Sequence, residues 1–326
     1  MYKPPFTITN KMLSLCISIT EKIGQITMFE SLKRMPILRK NNKIKSIHSS
    51  LAIEANSLSL NQVRDVIDGK MVIGLQKEIQ EVKNAYKVYG MFKELNCYEE
   101  NDLLKAHKIL TYLVDEENGK YRDHGEGVFD GEKIIFMAPP ENMVPSLMKN
   151  LFEWIKKDNE TPMLIKSCVF HYEFVFIHPF GDGNGRMARL WQNLLLSQWN
   201  QLFEYIPLES KIHDYQSDYY KAIANSNING NSNGFVEFML TMIDETLDNV
   251  IKNVEMESKN ISQQVNKLLS VMEKDIPYSA NDLLKLLNIK TKETLRNTYL
   301  NLALENGLVR MTLPEKPNSK NQKYIK

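Results

Sequence analysis

Residues 178–189 read HPFGDGNGRMAR, and they hold most of the side-chain types needed to handle a phosphorylated ligand. Gly181, Gly183 and Gly185 permit backbone conformations closed to other residues. Successive backbone N–H groups in such a loop can form a concave nest for phosphate oxygens. Helical spacing resumes at Asn184, so the amides and dipole of a helix N-terminus would face the same anion. Arg186 and Arg189 are three apart and share one helix face beside the nest, where guanidinium groups can grip phosphate bidentately. Asn193 continues that face one turn later. Asp182 is the only carboxylate of the loop and is suited to hold Mg²⁺ against phosphate oxygens. His178, at the loop entrance, is the natural base for activating a hydroxyl.

Two better-known phosphate motifs do not apply. The glycine spacing partly mimics a dinucleotide fingerprint, but helical rather than strand patterning precedes it and no βαβ unit surrounds it. No GxxxxGK[ST] sequence occurs anywhere in the chain.

The elements that must position this loop are mostly helical. Apolar spacing predicts helices over about 10–30, 36–55, 77–95, 101–115, 145–157, 162–176, 184–199 and 210–224, and a long one from about 235 to 259. Asn61 is expected to cap a short helix ending at Gly69. Val128-Phe129 and Ile134-Ile135-Phe136-Met137 flank Asp130-Gly131, a hairpin signal. The segment 225–234, NSNINGNSNG, reads as an exposed loop. Past Ile261 come a helix over 262–273, two more over 282–287 and 291–305, and two short strands around a Pro-Asn-Ser turn. Helix-turn-helix plus hairpin is the order of a winged helix. The expected plan is mainly α: a helical region over 1–95, a core with a β-hairpin flap over 96–258 and a small winged helix over 259–326.

Composition limits the setting. With 326 residues, 43% hydrophobic and 25% charged, the chain has an ordinary globular profile, and its length suggests about two domains. A formal net charge of +1 gives no long-range field toward nucleic acid or membrane. Cys16, Cys97 and Cys168 fit no CxxC pattern, so neither a disulfide framework nor a zinc site is expected and a reducing cytoplasm is the simplest setting. Neither a signal peptide nor a membrane span is expected. His48, His107, His124 and His213 read as incidental, His171 as a core or loop-bracing residue, and Trp191 and Trp199 as core.

HPFGDGNGRMAR resembles the signature of the Fic family, HPFx[DE]GNGRxxR, at every specified position. The resemblance runs from about residue 40 to 250. His171 to Ile177 is similar to the helix preceding the motif, the 128–137 hairpin to the target-binding flap, and Tyr219-Tyr220 to paired tyrosines near the nucleotide base. The resemblance implies a protein adenylyltransferase. His178 would deprotonate a Ser, Thr or Tyr hydroxyl of a target protein, possibly of the chain itself, for attack on the α-phosphorus of ATP. Asp182 would bind Mg²⁺ or Mn²⁺. Gly183, Asn184, Gly185 and Arg186 would form the anion hole, with Met187 and Ala188 beside them and Arg189 on the γ-phosphate. Phe180 would anchor the loop in the core, and Ile134, Ile135, Phe136 and Met137 would hold the target by strand pairing. Tyr219 and Tyr220 stay open between packing and nucleotide contact. Other transferred groups (phosphate, UMP, phosphocholine), AMP removal, and a nucleotide-sensing DNA-binding regulator remain alternatives. A homodimer also stays open. So does the winged helix, whose spread basic residues suit either DNA or protein contact.

Ile44, Ile47, Leu51 and Glu54 follow a 3-4-3 spacing and share a helix face. A carboxylate on an otherwise apolar face needs a partner if it is buried. The run Ser50-Leu51-Ala52-Ile53-Glu54 resembles the inhibitory [ST]xxxE[GN] helix of many Fic proteins, which implies that Glu54 pairs with Arg189 and blocks productive ATP binding. Ala55 departs from that pattern, and Asn56 follows one position later.

Overall fold

The computed structural model describes residues 2–28, 36–130, 133–305 and 307–326. Its helices are α1 (Asn10–Met28), α2 (Pro36–Ile53), α3 (Leu60–Ile67), α4 (Gln76–Tyr89) and α5 (Glu100–Leu110). A hairpin of β1 (Gly127–Asp130) and β2 (Lys133–Met137) follows. Next come α6 (Val144–Lys157), α7 (Met163–Ile177), α8 (Asn184–Trp199), α9 (Leu208–Asp214), α10 (Gln216–Asn229) and α11 (Asn233–Val271). Contacts divide the chain into two units, Met1–Val250 and Ile251–Lys326. No helix among the described residues is long and apolar enough to cross a membrane.

The first unit is built on α7 and α8. The α7 sequence, MLIKSCVFHYEFVFI, has no polar face and is buried along nearly its whole length, as befits a central helix. It packs along α8 and is flanked by α1 and α6. Phe170, Phe180 and Trp191 have no exposed surface there. Ile44, Ile47 and Leu51 give α2 the apolar stripe by which it lies against α4, α8 and α9. That docking brings the end of α2 to the first turns of α8.

The end of α2 is conformationally demanding. The Asn56 N–H returns to the Leu51 carbonyl at 3.1 Å, and Ala55 takes a left-handed conformation with φ 64°. Helices often close this way on glycine or asparagine, since a Cβ disfavours the geometry. The one departure from the inhibitory pattern thus falls where the backbone favours Gly or Asn.

Several expected boundaries differ. Ser59, not Asn61, caps α3, through a capping box with Gln62. The helices expected over 77–95 and 101–115 stop at Tyr89 and Leu110 and continue as turns. The helix expected over 210–224 is two, α9 and α10, broken at Tyr215. The stretch 225–234 is largely helical: α10 runs to Asn229, Gly230 closes it at φ 63°, and α11 begins at Asn233. Its polar composition misleads because the polar groups are used internally. Buried Ser226 accepts the Phe235 N–H, and the Ser232 N–H goes to the Pro5 carbonyl. The helix expected over 262–273 is the end of α11. In the hairpin Asp130 is a strand residue paired with Lys133; Gly131 lies outside the described residues, as does position 30 at the expected end of the first helix.

In the second unit β3 (Tyr278–Ser279) leads into α12 (Ala280–Leu287), which opens on a Ser279/Asp282 capping box. A helical run α13 comprises Lys292–Thr294, the π-type stretch Leu295–Leu300 and Asn301–Glu305. Strands β4 (Arg310–Met311) and β5 (Lys323–Ile325) complete an antiparallel sheet in the order β3-β5-β4. The sheet therefore has one strand more than the two expected. Leu268, Leu283, Leu287, Leu295 and Val309 form its core.

Ala55→Gly is expected to stabilise the first unit by roughly 0.5–1 kcal/mol, because relief of the left-handed penalty exceeds the added unfolded-state entropy. Urea unfolding of the two proteins measures it; a less stable glycine variant would contradict the strain.

Candidate active site

α7 ends on His178, which is left-handed at φ 51°, ψ 60°. A non-glycine residue in that region needs outside support. Its N–H bonds the Phe174 carbonyl at 3.0 Å, and the Arg122 Nε donates to its carbonyl at 2.7 Å. Arg122 is 3% exposed and is occupied by backbone carbonyls: Nη1 donates to His124 at 2.7 Å and Nη2 to Pro139 at 2.6 Å. One buried guanidinium therefore fixes both the turn at His178 and the end of the flap. Sequence reading missed Arg122, which lies in a loop with no periodic or motif signal.

His178 is half-buried, and its Nδ1 lies 3.3 Å from the Val175 carbonyl. That contact assigns the proton to Nδ1 and leaves the Nε2 lone pair free to act as a base. Burial lowers its pKa, against the opposing effect of the Val175 hydrogen bond.

The loop is held from inside. The Phe180 ring is stacked on His107 with centroids 3.6 Å apart. Asn184 closes the loop with its side chain, accepting the Phe180 N–H at 2.9 Å and donating to the Phe180 carbonyl at 2.7 Å. Only the Asn184 backbone N–H is left for an anion. His107, read from sequence as incidental, is fully buried. Its Nδ1 accepts the Gly119 N–H at 2.9 Å, so its Nε2 donates to the Asp182 carbonyl at 3.0 Å. Burial pushes its pKa down to about 4, which keeps it neutral. Gly183 caps α8 at φ 83°, a conformation closed to most residues.

The first turn of α8 offers the unpaired N–H groups of any helix N-terminus. Around it stand two arginines and three carboxylates. The Asp182 Oδ1 accepts from the Gly183 N–H at 2.5 Å and the Arg186 Nη2 at 2.8 Å. Burial would raise the Asp182 pKa, but Arg186 and the Gly183 N–H outweigh it and hold the carboxyl below the usual range. The Arg186 Nη1 pairs with Glu81 of α4 at 3.1 Å. Arg189, 2% exposed, donates from Nε to the Ser50 Oγ at 3.2 Å and from Nη2 to the Ser50 carbonyl at 2.9 Å and the Glu54 Oε1 at 2.8 Å. Burial opposes its charge, but the Glu54 carboxylate prevails and raises its pKa. The Arg186 Nε and Arg189 Nη1 are buried and have no partner among the described residues. The Glu54 carboxylate also lies against Gly185, so that a Cβ at Gly185 would overlap Oε1. An anion thus already occupies the mouth of the helix N-terminus, and it belongs to the chain itself.

Other expected site residues are placed differently. Met187 and Ala188 are fully buried; they turn away from the Arg186–Arg189 face and their side chains belong to the core. Tyr219 is 1% exposed, with its hydroxyl 2.9 Å from the Nε2 of buried His171, so it supports the site from the core. Tyr220 is 46% exposed, with its hydroxyl 3.5 Å from the Ile53 carbonyl beside Glu54. The Asn193 amide packs against buried Glu209. Trp191 is core, but Trp199 is exposed. In the flap, Ile134 and Ile135 lie on β2, Phe136 packs on Phe176 of α7, and Met137 is 55% exposed. The hairpin pairs with no third strand among the described residues.

Fold and site define a helical protein built around a glycine-rich loop and helix N-terminus, with a histidine at one side and a carboxylate of the chain itself paired to Arg189. Residues 97–196 match the model of the Fic/DOC family, and 263–325 match the Fic-like C-terminal domain of filamentation-induced-by-cAMP proteins. A Fic family protein from Desulfovibrio desulfuricans G20 with a solved structure is 42% identical, with TM-score 0.76, covering 99% of this chain and 98% of that one. This chain therefore belongs to the Fic family. Among curated proteins it is 25% identical over 281 residues to "Protein adenylyltransferase fic-1" of Caenorhabditis elegans, covering 82% of this chain and 52% of the relative. It is 31% identical over 222 residues to "Protein adenylyltransferase Fic" of Culex quinquefasciatus, covering 64% and 42%. The chain spans about half the length of the curated relatives it matches. Solved Fic-1 (aa134 - 508) from C. elegans shares the fold, with TM-score 0.60 at 22% identity over 75% of this chain and 74% of that one.

The neutral histidines give the loop a pH dependence. Below about 6.5 the unfolded chain takes up a proton that folded His107, with its pKa near 4, refuses. Its contribution is therefore complete above about pH 6.5 and declines as pH falls toward 4. In His107→Gln this decline should be shallower, whatever the stability at pH 7; equal slopes in urea unfolding between pH 7 and 4.5 would contradict a neutral His107.

Proposed function

We propose that this chain transfers AMP from ATP to hydroxyl side chains of target proteins, itself included, and that Glu54 restrains it at rest. The observation that carries the reading is the pairing of a free His178 Nε2 with a helix N-terminus whose two arginines each keep a buried, unpartnered N–H. A bound triphosphate would take up those N–H groups together with the free amides of α8. The His178 Nε2 accepts the proton of the target hydroxyl while its oxygen forms a bond to the α-phosphorus. The bond from that phosphorus to the β-phosphate bridging oxygen breaks, and pyrophosphate leaves with the electron pair. Positioning and charge neutralisation supply most of the rate in chemistry of this kind.

Asp182 fits a hard divalent cation. Its side chain is 43% exposed and its Oδ2 has no partner among the described residues. Mg²⁺ or Mn²⁺ held there would neutralise phosphate charge. Arg122 and Asn184 keep the base and the loop in register. The unpaired edges of the flap suit an extended target segment, read through its backbone. The free thiols of Cys16, Cys97 and Cys168 suit a reducing, cytoplasmic setting.

Restraint follows from competition for one guanidinium. The Glu54 carboxylate lies where a γ-phosphate would meet Arg189, and Ser50 holds the other edge of that arginine. In the second unit, Arg296, Arg310 and Lys323 are exposed on α13, β4 and β5, which suits DNA or protein contact alike.

The decisive assay compares the native chain, Glu54→Gly and His178→Ala with ATP labelled at the α- or the γ-phosphate. Label from the α position alone is expected, increased at least tenfold in Glu54→Gly and absent in His178→Ala, a tenfold change being about 1.4 kcal/mol. Label from the γ position, or a sequence-specific DNA footprint with no transfer, would reject AMP transfer. Because burial lowers the His178 pKa, the midpoint of its protonation lies below the ordinary 6.5. The acid limb of the rate–pH profile of Glu54→Gly should therefore lie below that value, and a limb above it would remove His178 as the base.

A further inference from the structure

Arg186 sits between two carboxylates, and only Asp182 has a role in the reading above. The other, Glu81, comes from α4 and is nearly as buried as the arginine, with side-chain exposures of 13% and 5%. Glu81 is itself held. Its Oε2 accepts the Asn56 Nδ2 at 2.8 Å, and the same amide reaches the Glu78 carbonyl at 3.3 Å. Asn56 belongs to the turn that closes α2, two residues after Glu54.

The division of Arg186 between these partners matters for Asp182. Glu81 takes Nη1 and Asp182 takes Nη2, both through single oxygens, while the Arg186 Nε has no partner. Arginine otherwise tends to close on one carboxylate through two parallel hydrogen bonds. Such closure here would engage both oxygens of Asp182 and remove the free one. It would also neutralise the carboxylate that a cation needs.

We infer that Glu81 is a positioning residue for Arg186: by holding Nη1 it keeps the guanidinium from closing on Asp182 and so leaves Asp182 Oδ2 open to a divalent cation. This rests on the proposed nucleotide and cation roles of the site. Around Arg186 the two carboxylates exceed the guanidinium by one negative charge, which a cation at Asp182 would offset. Asn56 fixes the orientation of Glu81 and ties it to the turn that presents Glu54.

A thermodynamic linkage tests this. In a Glu54→Gly background, which opens Arg189, the affinity of a non-hydrolysable ATP analogue is measured by calorimetry with Mn²⁺ and with EDTA. The ratio of the two affinities is the reading. Glu81→Gln is expected to reduce the ratio by about tenfold, the effect of one charge-assisted hydrogen bond. Affinity without Mn²⁺ should rise as a negative charge is removed, and affinity with Mn²⁺ should fall as Arg186 closes on Asp182. Glu81→Asp, one methylene shorter, should lie between and gives the reading if Glu81→Gln does not fold. A merely structural Glu81 would lower both affinities together and leave the ratio unchanged, which overturns the inference. Asp182→Asn should abolish the Mn²⁺ gain; if it keeps the gain, the cation assignment falls and the role of Glu81 with it, whereas the labelled-ATP assay is unaffected. If only the Glu81 variants keep the gain, the inference alone fails.

Discussion

A guanidinium charge with almost no exposed surface governs the arrangement of this protein. Arg189 is 2% exposed, and a charge so far from water needs a counter-charge and hydrogen-bond acceptors. Both come from α2 and the turn that closes it, through the Ser50 hydroxyl and carbonyl and the Glu54 carboxylate. α2 must therefore lie against α8, and its apolar stripe of Ile44, Ile47 and Leu51 holds it there. Gly185 is part of the same constraint, because any side chain would meet the Glu54 carboxylate. Packing and charge are satisfied by one arrangement in which the Glu54 carboxylate lies against the first turn of α8.

The geometry of the motif loop rests on side chains that act through backbone. Arg122, His107 and Asn184 each bind main-chain atoms of the motif loop. His178 adopts a left-handed conformation because its carbonyl and its N–H are both engaged. Buried histidines that stay neutral suit this purpose: one ring nitrogen donates and the other accepts, with no charge to compensate. Two of the buried atoms without a partner among the described residues, the Arg186 Nε and the Arg189 Nη1, belong to the side chains beside the first turn of α8.

Much of the fold was legible because its signals are local. The helices over 162–176 and from Asn184 and the β-hairpin follow from period and turn chemistry. The misreadings share a cause. The segment 225–234 has the composition of a loop, but buried neighbours use its polar groups, so it continues as helix. Helices expected over 77–95 and 101–115 were too long because periodicity persisted through residues that form turns. Of the residues around the anion site, those inside the motif were readable from type and spacing. Arg122, His107, Glu81 and Asn56 were not, since each reaches at least one partner 20 or more residues away that only the packing of helices brings near.

By itself the sequence determined the loop-helix at 178–189, the chemistry its residue types allow, and the Ser50-to-Glu54 spacing on a helix, because these depend on neighbours within a turn or two. Tertiary structure decided which charges meet. Glu54 reaches Arg189 across 135 residues and Glu81 reaches Arg186 across 105. Those pairings exist only because α2 and α4 dock on the helical core, and electrostatic contact depends on distance in space, which residue order does not encode.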